Sequence, residues 1–308
     1  MGARKRRAKK KRPDRKPPLL LMVSLIILAG LAGIIVLIIP MDSERISLGR
    51  IHFESFRDKP PPPPPPMCGS SKKGLANYSM PLVAIIIDDV GYHRRLDKEF
   101  IELPHKLSFA FLPYGPFTQK YAALAHRLGK DVLIHIPMEP AEHDVNPGPG
   151  TLRTSMTPEA IIQTLSNDLD LVPFAIGANN HMGSRFTQDP EAMDLVLMEL
   201  KRRGLFFIDS RTTTKTVAYR EAISLGIPAL ERHVFLDYAD GPEIVEHSLD
   251  RLLKIAGERG YAVAIGHPFQ NSLEVLKKHL PIMQKEVKIV PVSHLIGLRE
   301  EVCKNEVR

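Results

Sequence analysis

Short apolar runs recur along the last three quarters of the chain. They fall at Leu82–Ile87, Leu107–Leu112, Val132–Ile136, Phe174–Ala178, Leu205–Ile208, Ala229–Phe235, Ala262–Ile265 and Val287–Val292. Each is too short for a helix and too continuous for a strand with one wet face, so each predicts a strand buried on both sides. The segments between them carry helical signals. "TPEAIIQTLSNDLD" opens with Thr157 in the cap position, Pro158 at the first helical position and Glu159 in the first turn. "DPEAMDLVLMELKRRG" repeats this with Asp189 and Pro190 and closes on Gly204. "GPFTQKYAALAHRLGK", "GPEIVEHSLDRLLKIAGERG" and "NSLEVLKKHL" complete the helical set. Strand alternating with helix over about 225 residues predicts an α/β domain, 81–308, with parallel strands. Seven or eight such units suit a closed or nearly closed barrel better than a doubly wound sheet.

The pattern before Pro81 is different. Leu19–Ile39 is a stretch of 21 residues without a charge, long enough to span a bilayer. Its length, and the absence of a small-x-small site just beyond it, favour an uncleaved anchor over a signal peptide. Residues 1–18 form a basic tail, and the positive-inside rule keeps that tail cytoplasmic. The domain then lies on the far side of the inner membrane of a bacterium, in the periplasm or outside the cell. Residues 40–80 read as linker. Pro60–Pro66 is a run of seven prolines, a stiff polyproline spacer of roughly 20 Å at about 3.1 Å per residue.

The net charge of +7 follows from this layout. The first 16 residues hold ten Lys or Arg and one Asp, a sum of +9, which leaves −2 for everything else. No basic domain remains for nucleic acid. No GxGxxG or GxxxxGK[ST] segment is present, which removes the main reason to expect a nucleotide. Cys68 and Cys303 fit no zinc spacing; in an oxidising compartment they can pair or remain as separate thiols.

In parallel α/β folds the chemistry gathers where the strands end. Here the first strand ends in Asp88 and Asp89, the second in Pro113 and Tyr114, and the third holds His135 and runs into Glu139. The fourth ends in "GANNHMGSRFT" with His181 and Arg185, the fifth in Asp209, Ser210 and Arg211, the sixth carries His233 and ends at Asp237, and the seventh ends at His267. Two adjacent carboxylates repel and resist ionisation unless something positive sits nearby. A dication held by Asp89, His135 and His181 answers that, and a zinc-type site takes this donor set while leaving a position open for water. Aromatic residues are sparse at the strand ends, with Tyr114 and Phe186 the nearest.

The segments "VAIIIDDVG", "HIPMEP", "NNHMGSRFT", "FFIDSRTT" and "AIGHP", in this order, resemble the divergent polysaccharide deacetylase family, a branch of the metal-dependent carbohydrate esterases. The resemblance covers about 81–300. It implies a distorted (β/α)7-type barrel, a divalent metal of the Zn²⁺ type, and hydrolysis of acetyl groups on cell-envelope polysaccharide. By the same resemblance Asp88 is the general base, Asp89 a metal ligand and His267 the general acid. The wider superfamily usually draws both histidine ligands from one HxxxH-type segment; this chain has none at that place, and His135 and His181, from separate strands, take the two positions. Arg185 joins them as a candidate for holding the oxyanion. The competing expectation is a non-catalytic envelope protein that uses the same fold to bind a glycan or a partner. A two-metal phosphatase would require more bridging carboxylates than the strand ends offer.

Overall fold

The computed structural model describes residues 79–306. The chain runs β1 (Leu82–Val90), α1 (Leu96–Ile101), β2 (Ser108–Phe111), α2 (Thr118–Arg127), β3 (Asp131–Met138) and α3 (Pro158–Leu171). It continues through β4 (Gly177–Met182), a 3₁₀ turn (Phe186–Gln188), α4 (Pro190–Arg202), β5 (Phe206–Asp209), α5 (Ala218–Ser224), β6 (Ala229–Glu231) and β7 (Val234–Phe235). The last elements are α6 (Pro242–Arg259), β8 (Tyr261–Gly266), α7 (Gln270–Met283), β9 (Lys288–Ile289) and α8 (Val292–Glu306). Among the described residues no helix is long and apolar enough to cross a membrane. The basic tail, the expected anchor, the proline spacer, Cys68 and the side chain of Cys303 lie outside the described residues.

Every strand pair is parallel, in the order β6-β5-β4-β3-β2-β1-β8-β7, with β9 paired to the start of β1. The two ends of that order are one stretch of chain. Arg232 N–H donates to Asp209 on β5, and His233 N–H donates to Val263 on β8. Residues 229–235, the single sixth strand expected from the sequence, therefore join the first half of the sheet to the last, as in a (β/α)7-type barrel.

Two cores divide the side chains by strand parity. Leu82, Ala84 and Ile86 of β1 pack with Ala110, Leu133, Ile208, Leu230, Val263 and Ile265. Val83, Ile85 and Ile87 pack instead with the apolar stripes of the helices, such as Ile161 and Leu165 of α3 and Met193 and Val196 of α4. The first set fills the inside of the curled sheet; the second seals the helices to its outside. The expected caps form, with Thr157 Oγ1 accepting from Ala160 N–H and Asp189 Oδ1 from Ala192 N–H.

Several boundaries move: β1 continues past Ile87 to Val90, and β3 past Ile136 to Met138. The fourth strand starts at Gly177, not near Phe174, whose φ of +65° breaks the extended run; Asn179, Asn180 and His181 thus lie inside a strand and not in a loop. Only Lys288–Ile289 of the expected last strand pairs, and Val292 already opens α8.

Candidate metal centre

In a regular strand Asp88 and Asp89 would face opposite sides of the sheet. Asp88 keeps the inward parity of Leu82, Ala84 and Ile86. The β1–β2 register shifts between Ile87 and Val90, and Asp89 takes a φ of +57°. This bulge turns Asp89 to the inner side as well, so both carboxylates face the mouth of the barrel. Aspartate tolerates the left-handed conformation better than most residues. The turn beyond is tied down: Asp97 Oδ2 accepts from the N–H groups of Gly91 and His93, at 2.8 and 2.9 Å. Gly91 has a φ of +123°, and a Cβ there would stand 2.2 Å from Thr118 Oγ1, so only glycine fits.

His135 shares the inward parity of Leu133, and in the β3–β4 register it lies opposite Asn179, with His181 two residues further on. Asn179 Nδ2 donates to both oxygens of Asp88, at 2.8 and 3.0 Å. A carboxylate only accepts, so the amide orientation is determined, and Asn179 Oδ1 accepts from His135 Nδ1 at 2.7 Å. In the neutral ring that hydrogen bond places the His135 proton on Nδ1 and leaves the Nε2 lone pair free.

This lone pair looks onto two other donors. His135 Nε2 is 3.2 Å from Asp89 Oδ1 and 3.2 Å from His181 Nδ1, and His181 Nδ1 is 2.8 Å from Asp89 Oδ1. The three atoms form a near-equilateral triangle. Its edges approach the roughly 3.3 Å edge of a tetrahedron whose ligands stand about 2.0–2.1 Å from zinc. Asp89 Oδ1 is buried, and the ring nitrogens, though close enough to act on its charge, are out of line to hydrogen-bond it. A buried carboxylate oxygen without a hydrogen bond, facing two imidazole nitrogens, is a donor set for a divalent cation. Asp89, His135 and His181 form a three-residue group able to hold one. Burial resists the charge on Asp89, but the two imidazoles outweigh it and hold the pKa far below the usual carboxylate range. Burial dominates at Asp88 and raises its pKa, against the opposing pull of His135, His267 and Asn179. At His135 burial favours the neutral ring, yet the nearby aspartates raise its pKa.

His267 enters from the end of β8. Its Nδ1 lies 2.9 Å from Asp237 Oδ1, its N–H donates to Asp237 Oδ2 at 2.7 Å, and Ser272 Oγ donates to the same oxygen. With Nδ1 so held, Nε2 faces the cluster, 3.9 Å from Asp89 Oδ2. Burial alone would lower the His267 pKa; Asp237 and then the two aspartates of β1 raise it to about 9.

Asp88, Asp89, His135, His181 and His267 are therefore brought together. Arg185 sits elsewhere on the rim: half-exposed, its Nη1 is 3.8 Å from Glu139 Oε1, and its backbone N–H donates to the Glu139 carbonyl. Three contributors lacked an assigned role in the sequence. Asn179 links Asp88 to His135, and Asp237 holds His267. Arg232 donates to the carbonyls of Ser210 and Arg211, at 2.6 and 2.8 Å, while its part-buried guanidinium feels Asp88. Parity was the available signal. Arg232 is two residues past inward Leu230, Asn179 two before His181, and His267 two past inward Ile265. Asp209 has outward parity, and both Asp209 and His233 do structural work. Asp209 accepts from Arg211 N–H, Thr216 Oγ1 and Tyr219 N–H, and His233 Nδ1 accepts from Val263 N–H. The expected scarcity of aromatics is corrected too. Tyr92, Tyr114, Tyr238 and Phe269 are exposed just beyond the ends of β1, β2, β7 and β8, whereas Phe186 is fully buried.

The family model for divergent polysaccharide deacetylases matches residues 85–296, and the chain belongs to that family. An uncharacterized protein of Haemophilus influenzae is 35% identical over 219 residues, covering 71% of this chain and 78% of its own. YibQ of Escherichia coli, also uncharacterized, is 34% identical over 215 residues, covering 70% of this chain and 67% of its own. The crystal structure of the uncharacterized protein ATU2773 from Agrobacterium tumefaciens superposes with a TM-score of 0.68 at 26% identity, covering 71% of this chain and 90% of that one.

Proposed function

We propose that this protein is a metal-dependent deacetylase of acetylated cell-envelope polysaccharide, carried on the outer side of the inner membrane by its N-terminal segment. The observation that carries the reading is the triangle of Asp89 Oδ1, His135 Nε2 and His181 Nδ1, with Asp88 and His267 beside it. A divalent metal of the zinc type, when bound, supplies a Lewis acid for the acetyl carbonyl and acidifies water.

The side chains supply the rest. Asp88, with a raised proton affinity and both oxygens fixed by the Asn179 amide, takes the proton from the attacking water. His267, kept protonated at neutral pH by Asp237, gives a proton from Nε2 to the departing amine or alkoxide. Asp89, His135 and His181 are the metal ligands. Arg185 is assigned to the rim, where its half-exposed guanidinium can steer substrate or assist the oxyanion.

The test is acetate release from acetylated glycan fragments by the purified chain, before and after chelation and after zinc is restored. The reading expects release that chelation abolishes and zinc restores. Metal binding without release across amide- and ester-acetylated glycans would overturn it in favour of the non-catalytic binding protein.

A further inference from the structure

We propose that the cleft over the end of β2 is a subsite for a neutral sugar ring, walled by Tyr92 and Tyr114, that seats a glycan chain beside the metal centre. The proposal rests on the deacetylase reading for the placement of the acetylated ring at Asp89. The cleft has a volume of about 250 Å³ and is lined by Tyr92, Leu112, Pro113, Tyr114, Pro137 and the 146–149 turn. In the sheet, β2 stands between β1, which carries Asp89, and β3, which carries His135. A ligand over β2 is therefore flanked by both metal-bearing strands.

The chemistry of the lining selects the ligand. No lining residue carries a charge, so neither an anionic nor a cationic sugar would regain the hydration it loses on entry. Prolines and half-exposed tyrosine rings offer flat apolar surface with a hydroxyl at the edge, which suits the alternating C–H faces and hydroxyl rims of a pyranose.

A second feature backs the same wall. Asp168 of α3 is fully buried, and neither of its carboxyl oxygens has a hydrogen-bond partner. It backs the cleft wall: a Cβ on Gly150, whose φ is +75°, would stand 2.4 Å from Asp168 Oδ1 and 2.6 Å from Tyr114 Cε2. Burial raises the Asp168 pKa to about 7, against the opposing pull of the Tyr114 hydroxyl beside it. Asp168 thus stands behind Tyr114 and outside the lining, where it backs the ring that forms the wall of the cleft.

The test is calorimetric titration of the metal-stripped full chain with the tetramer of N-acetylglucosamine and, separately, with the tetramer of galacturonic acid. The neutral tetramer is expected to bind, with Kd raised about tenfold in Tyr114→Ala and by a smaller factor in Tyr92→Ala, the size of one lost aromatic contact. Phe174→Ala, an exposed aromatic just before the start of β4 and so at the opposite end of the strands, is expected to bind as the unaltered chain does. Equal Kd values for Tyr114→Ala and the unaltered chain, or equal affinity for the acidic tetramer, would overturn the subsite. Because no metal is present, the result separates from acetate release: tetramer binding that depends on Tyr114 stands even if no acetate is released, and release with unchanged Tyr114→Ala affinity removes the subsite alone.

Discussion

The two ends of the barrel both bury aspartates, and they use them in opposite ways. At the start of the strands, Asp131 accepts from Ser108 Oγ, from Ser293 N–H and from Ser293 Oγ, while Ser108 Oγ accepts from Val292 N–H. Every donor in this knot belongs to the protein. It satisfies the first free N–H groups of α8 and ties that helix across the bottom of β2 and β3. At the other end, Asp89 Oδ1 is buried just as close to nitrogen but makes no hydrogen bond, and it faces ring nitrogens of two histidines. The first arrangement is complete as it stands. The second has a place that a cation would fit. Buried carboxylates are thus not equivalent, and what separates structure from site is whether the protein itself supplies the partners.

Substitutions at the two ends should therefore produce different losses. Asp88→Asn should retain metal and fold while the rate of acetate release falls by about 10³-fold, within the range for loss of a positioned base; steady-state kinetics on an acetylated oligosaccharide checks this. Asp131→Ala should do the reverse, lowering unfolding free energy by about 2–4 kcal/mol because it leaves buried donors without an acceptor, with metal affinity unchanged. Denaturant melts and metal titrations of the same samples measure both. An Asp131→Ala chain that loses metal but not stability would break the distinction between the ends.

Smaller effects sharpen it. Asn179→Ala should weaken metal affinity by about 10–100-fold, since the amide sets the tautomer of His135 and holds Asp88; competition against a chromogenic chelator reads this. Asp237→Asn should shift the alkaline limb of the pH–rate profile. His267 acts as an acid, so activity falls as pH rises through its pKa, raised to about 9 with Asp237 in place. Without that carboxylate, burial prevails, and the limb should move down by about one pH unit or more.

Much of this was legible in the residues. The β-branched runs and the Thr157–Pro158 and Asp189–Pro190 starts mark the alternation that builds the barrel, because local propensity and burial agree there. The five clustered site residues were readable as strand-end polar groups. Their selection from among similar groups was not, because it depends on which face of the sheet each occupies. Inward parity admits His135, Asn179, His181, Arg232 and His267 and sends Asp209 outward. Asp89 defeats even that rule, since its inward turn comes from a bulge whose register only the β1–β2 pairing reveals. Helix α8 was hidden for a related reason: it follows directly on a paired strand, and its cap lies 184 and 162 positions away in sequence, in Ser108 and Asp131.

The most direct test of the central claim is the stoichiometry of zinc binding to the chelator-stripped chain by calorimetric titration, alongside Asp89→Ala and His181→Ala. The account predicts one equivalent bound to the unaltered chain, and at least a thousandfold weaker binding in each variant with the fold retained. Less than one equivalent in the unaltered chain, or equal affinity in all three proteins, would contradict it.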